Sequence, residues 1–83
     1  MLFRKIINNN VMEENFKSIP GFVGIRQQGH SGRLWLNVSQ IEQWRESGAF
    51  IKISMNGNRT NQWDWDAIGT EEQFIKALSE AQA

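Results

Sequence analysis

An α+β fold is the class this sequence predicts, and three observations predict it. In residues 50–55, Ile51, Ile53 and Met55 alternate with Phe50, Lys52 and Ser54, the period-2 pattern of a half-buried strand. Two capping boxes, Ser39 with Glu42 and Thr70 with Gln73, announce helix starts. Clusters of Asn, Gly and Pro separate the patterned stretches at turn-forming spacings. Together they predict a small antiparallel sheet of about five strands with two short helices and a C-terminal helix, in the order β-α-β-β-α-β-β-α. The first six elements follow the split βαβ order of ferredoxin-like folds. The hairpin strand and last helix extend it.

Each element has a local reason. Residues 2–7 are apolar around Arg4 and Lys5 and read as a first strand. Asn10 is placed to cap a short helix over 11–18, with Glu13 and Glu14 in the dipole-favoured first turn and Val11, Met12, Phe16 and Ile19 at helical spacing. Pro20 and Gly21 end it. Residues 22–28 and 33–38 read as paired strands around Gly29-His30-Ser31-Gly32, with Val23, Ile25, Leu34, Leu36 and Val38 on the buried face. The Ser39 box then starts a helix anchored by Ile41 and Trp44, with Gly48 as its C′ residue. Residues 50–68 form a hairpin turning at Asn56-Gly57. On its return strand Trp63, Trp65 and Ala67 share one side, and Gln62, Asp64 and Asp66 the other. Thr70 opens the last helix, where Phe74, Ala77, Leu78 and Ala81 form an apolar stripe bordered by Ile75.

Eighty-three residues fit a single domain spanning 1–83. Five Phe and four Trp among 40% apolar residues suffice for a packed core. The absence of cysteine removes disulfides and thiolate chemistry, and favours a reducing cytoplasm. No apolar run approaches the ~20 residues of a membrane span, and the N-terminal stretch carries charge where a signal peptide would be apolar. Net charge is zero but uneven: residues 1–59 hold eight Lys/Arg against four Glu, and residues 60–83 one Lys against five Asp/Glu. Such a bipolar chain is suited to orienting a partner or a second copy of itself.

With Val23, Ile25, Leu34, Leu36, Ile51 and Ile53 inward, the opposite face collects Phe22, Arg26, Arg33, Trp35, Asn37, Phe50 and Lys52. Trp, Phe and Arg are the residue types that anchor protein interfaces. The expectation is therefore a non-enzymatic protein-binding domain, pairing with another protein or with itself as a homodimer. The same aromatic-basic face suits single-stranded nucleic acid, whose bases stack on aromatic rings while Lys/Arg meet phosphates. Zero net charge and the lack of a Lys/Arg cluster weigh against that alternative. A third arrangement leaves this face covered by the last helix. Arg59 and Asn61 project near Trp63 and Trp65, which serve either as core or as an aromatic platform for a planar or sugar ligand. Asp64 and Asp66 lack a third ligand, so no metal or other cofactor is expected. His30, the one histidine, sits in a glycine-flanked loop without a positioned nucleophile, which leaves catalysis a minor hypothesis.

The segment Glu14-Asn15-Phe16-Lys17-Ser18-Ile19-Pro20-Gly21-Phe22-Val23-Gly24 resembles the helix-to-strand passage of small antibiotic-biosynthesis-monooxygenase-like proteins. Ser39 to Arg45 echoes a Ser-capped helix of that family. The resemblance implies a dimeric α+β barrel in which paired sheets bury Phe22 and Trp35. It also brings in a third functional alternative, a small cofactor-free oxygenase or isomerase.

Overall fold

The computed structural model describes residues 14–82. The expected first strand at 2–7 and the start of the expected helix over 11–18 lie outside these residues. Six short strands, one 3-10 turn and one helix follow: β1 (Lys17–Ile19), β2 (Phe22–Ile25), β3 (Leu34–Asn37), the turn Val38–Gln40, β4 (Ile41–Ser47), β5 (Phe50–Met55), β6 (Trp65–Ile68) and α1 (Glu71–Gln82). They build two antiparallel three-stranded sheets, ordered β1-β2-β3 and β4-β5-β6. The α+β class holds. The single sheet does not, and the split βαβ order is not found, since within each sheet sequential strands pair directly and no α-helix lies between strands among the described residues.

Two of the expected helical stretches differ, each for a local reason. Residues 17–19, at the end of the first expected helix, instead pair with β2 across Pro20-Gly21, in the register Ile19↔Phe22. Pro followed by a glycine at φ +85° has the residue order of a tight turn as readily as that of a helix exit. Residues 41–47, read as a capped helix, are strand β4, paired along β5. Ile41 and Trp44 stand three apart, as on a helix, and a regular strand would send them to opposite faces. A register shift between Ile41 and Gln43 inserts one extra residue and returns both to the core side. Gly48 keeps its left-handed backbone, φ +63°, but uses it in the two-residue connection from Ser47 to its partner Phe50. Nor does Ser39 cap a helix: its N–H and hydroxyl donate to Asn37 Oδ1 at 3.0 and 2.8 Å, the cap of the 3-10 turn.

The inner faces of both sheets and α1 share one core of Phe16, Val23, Ile25, Leu36, Ile51, Ile53, Ala67, Phe74 and Ala77. Val23, Ile25 and Leu36 are buried as expected, while Leu34 and Val38 are half-buried at its margin. Phe74 is fully buried and joins the parts. Its ring lies 5.3 Å from that of Phe16 on one side and 5.3 Å, nearly edge-on, from that of Trp44 on the other.

Helix α1 starts as its sequence requires. Gln73 N–H donates to Thr70 Oγ1, and Thr70 N–H to Gln73 Oε1, both at 3.2 Å, a closed capping box. The Glu46 carboxylate of β4 accepts from Glu71 N–H at 2.9 Å, placing a further anion at the positive end of the helix dipole. At the other end Ala81 C=O accepts from Gly21 N–H at 2.9 Å, fastening the last turn to the β1–β2 connection. Ala77 and Ala81 are buried as expected, whereas Leu78 is half-buried and Ile75 exposed.

Phe74→Ala should cost about 3–5 kcal/mol, comparable to the whole stability of a domain this size, on the order of 5 kcal/mol. Urea titration followed by circular dichroism should find this variant unfolded without denaturant. Leu78→Ala, at a half-buried position, should remain folded with a loss of about 1–2 kcal/mol.

Candidate functional site

The outer face of the first sheet is set by strand alternation. With Val23, Ile25 and Leu36 inward, Phe22 and Gly24 of β2, Trp35 and Asn37 of β3, and Lys17 and Ile19 of β1 point the other way. The register makes two cross-strand rows, Ile19-Phe22-Asn37 and Lys17-Gly24-Trp35. Ile19, Phe22 and Trp35 remain exposed at 48, 39 and 41%, because α1 packs on the inner side. The last helix therefore leaves this face uncovered. Trp35 is held flat by its neighbour: a Cβ on Gly24 would come within 3.0 Å of three atoms of the indole ring. Glycine there lets the ring lie over the strand.

The cations of the expected face are distributed otherwise. Arg33 turns its guanidinium onto backbone, with Nη1 donating to Asn15 C=O at 3.0 Å and Gly24 C=O at 3.3 Å, and Nη2 to Glu14 C=O. It fastens the segment before β1 to the sheet. Lys52 and Phe50 belong to the second sheet, where Lys52 Nζ pairs with Asp66 at 3.3 Å. Asp66 is exposed and Lys52 half-buried, so the pair is screened by solvent and adds little stability. Arg26 follows β2, and its carbonyl accepts from Ile68 N–H at 2.8 Å, tying the end of one sheet to the end of the other. Phe22 and Trp35 are thus brought together as expected. Arg33 and Lys52 are held away from them by partners of their own.

Arg59 and Asn61 lie far along the chain from that face, in the connection from β5 to β6. Asn56-Gly57 does turn the chain, with Asn58 N–H donating to Met55 C=O at 3.2 Å and Gly57 at φ +91°. The strands do not close there, however, and residues 56–64 form a longer loop. Asn58 organises it. Its Oδ1 accepts from the N–H and hydroxyl of Thr60, each at 2.7 Å, and its Nδ2 donates to Gln62 C=O at 3.0 Å. Gln62 N–H donates back to Thr60 Oγ1 at 3.1 Å.

This loop separates the two tryptophans expected on one side. Trp65 pairs with Ile53 and packs against the core. Trp63, before the strand begins, lines a recess of about 250 Å³ with Gln43, Ser54, Thr60, Asn61 and Gln62. Asp64 does not stand as a free edge carboxylate, since its Oδ2 accepts from Met55 N–H at 2.7 Å.

Two further concavities occur among the described residues. An apolar groove of about 310 Å³ runs between the 3-10 turn, β4 and α1, lined chiefly by Val38, Ile41, Trp44, Ile75 and Leu78. Exposed His30 lines another, of about 290 Å³, with Gln27, Gln28, Phe50 and Asp66. No group of three or more His, Cys, Asp or Glu side chains able to hold a metal occurs among the described residues. No described helix is long and apolar enough to cross a membrane. The Ser-capped helix implied by the monooxygenase-like resemblance falls on strand β4, so the match does not extend beyond the Pro20-Gly21-Phe22 passage. No protein-family profile, curated protein or solved structure matches the chain.

Arg33→Gln removes a guanidinium that bonds three carbonyls, and hydrogen bonds to charged groups contribute about 1.5–3 kcal/mol each when lost. The variant should therefore unfold at markedly lower urea than the unmodified protein. Phe22→Ser, at an exposed position, should shift the midpoint little.

Proposed function

We propose that this chain is a non-catalytic interaction domain whose docking surface is the outer face of the first sheet and whose partner is a second copy of itself. The observation that carries this is the exposure of Ile19, Phe22 and Trp35 in adjacent positions of one rigid face. Contiguous large apolar side chains of this kind mark interaction sites more often than ordinary surface. Trp and Phe also anchor interfaces at low entropic cost.

The charge distribution favours self-association over a foreign partner. The face is rimmed by Lys17 from the basic part of the chain, while α1 displays Glu71, Glu72 and Glu80 from the acidic part. Opposite net charges on the two parts of the chain give two copies a long-range attraction that steers their encounter. Three large side chains make a small interface beside the roughly 800 Å² per partner of standard complexes. Association in the micromolar range follows. The lack of cysteine fits a reducing cytoplasm as the place of action.

Light scattering at high micromolar concentration should give twice the 9.6 kDa chain mass, falling toward the monomer as salt is raised. Phe22→Lys should be monomeric at the same concentration with an unchanged circular dichroism spectrum. A monomeric mass for the unmodified protein would sink the proposal.

A further inference from the structure

The recess under the β5–β6 loop has the chemistry of a site for a neutral, hydroxyl-rich ligand. Its floor is the outer face of the second sheet, where Gln43 of β4 and Ser54 of β5 are cross-strand partners. Its wall is the loop, which contributes Thr60, Asn61, Gln62 and Trp63. None of these lining residues is charged, in a chain where 22% of residues are.

Ser54 marks the recess as more than a fold in the surface. It is the one buried polar residue among those described, 6% exposed, and its hydroxyl makes no hydrogen bond with any described residue. A buried hydroxyl left without a partner is costly, and native proteins keep few. The side-chain amides of Gln43, Asn61 and Gln62 also bond to no described residue. The loop's own hydrogen bonds are made by Asn58, Thr60 and backbone groups, so the wall is pre-formed with these three amides left available. Each amide offers donors and an acceptor side by side, and the serine offers one of each. That set matches neighbouring hydroxyls on a ring, which themselves both donate and accept. Trp63 adds an indole whose flat, apolar face suits the C–H face of the same ring.

We infer that this recess binds one saccharide ring, either free or as a unit of a neutral glycan. Its volume is small beside the roughly 300–1,000 Å³ of drug-sized ligand pockets, which suits one ring. A nucleobase would also stack on an indole and meet amides. No lysine or arginine lines the recess to receive the phosphate that accompanies a base in a nucleic-acid strand. The ligand class is therefore the sugar.

The test uses the intact protein, ¹⁵N-labelled, titrated with D-glucose, D-galactose, D-mannose and N-acetyl-D-glucosamine, and with adenosine and thymidine as separate arms. At least one sugar should shift the side-chain amide signals of Gln43, Asn61 and Gln62 and the indole signal of Trp63, with a dissociation constant on the order of 1 mM. A methyl glycoside of that sugar should bind equally if the ring is read as part of a chain, and more weakly if the free reducing end is read. Gln43→Ala should lower affinity about tenfold without lowering the melting temperature. Ser54→Ala is the sharper variant. It removes a buried, unpartnered hydroxyl, so the melting temperature should hold or rise while sugar affinity falls. A lower melting temperature for Ser54→Ala, binding of a nucleoside in place of every sugar, sugar shifts confined to other residues, or no shift with any sugar at about 50 mM would each overturn the assignment.

Discussion

One aromatic ring holds this fold in a single body. Each three-stranded sheet has one apolar face that must be covered. At the centre of the contacts that join them is Phe74 on α1, seated between Phe16 beside the first sheet and Trp44 on the second. A helix can present that ring to both only if its axis is fixed at each end. Thr70, Gln73 and Glu46 hold the start, and the bond from Gly21 N–H to Ala81 C=O holds the finish. The caps that look like local helix chemistry therefore act on the tertiary structure, because they set where the shared core forms.

Legibility in the sequence followed the range of the interaction concerned. The start and extent of the last helix and most of its stripe were readable, since its box, its stripe and its acidic first turn all lie within twelve residues of one another, although Leu78 is only half-buried. The strands β2, β3 and β5 were readable from alternation. What misled was the stretch from Ser39 to Gly48. Its capping residues, its Ile41–Trp44 spacing and its terminal glycine agree on a helix, and only the pairing with β5 and the bulge beside Ile41 decide for a strand. Local preference was overridden by long-range pairing there. No window of sequence contains that pairing.

The candidate surface was partly legible for the same reason. Alternation alone brings Phe22 and Trp35 to one face, and the structure keeps them there. It could not show that Arg33 spends its donors on carbonyls before β1, or that Lys52 sits on a separate sheet opposite Asp66. A long cationic side chain reaches several places from one backbone position, so strand register constrains a tryptophan ring far more tightly than a guanidinium. The separation of Trp63 from Trp65 was hidden differently: it depends on β6 starting at Trp65, three residues later than alternation from Gln62 suggests.

The loop from Asn56 to Asp64 divides its labour in a way that bears on how this chain can change over time. Asn58 and Thr60, with backbone groups, close its hydrogen bonds, and Asp64 ties its end to β5. Arg59, Asn61 and Gln62 stand between those fixed points with side chains that the fold does not use. Replacement at these three positions leaves the frame intact while altering size and polarity in the wall of the recess at Asn61 and Gln62, and charge on the loop at Arg59. The chain thus carries a small cassette of exchangeable positions on a hydrogen-bonded mount, so substitution in this loop changes what the surface meets while the fold stays in place.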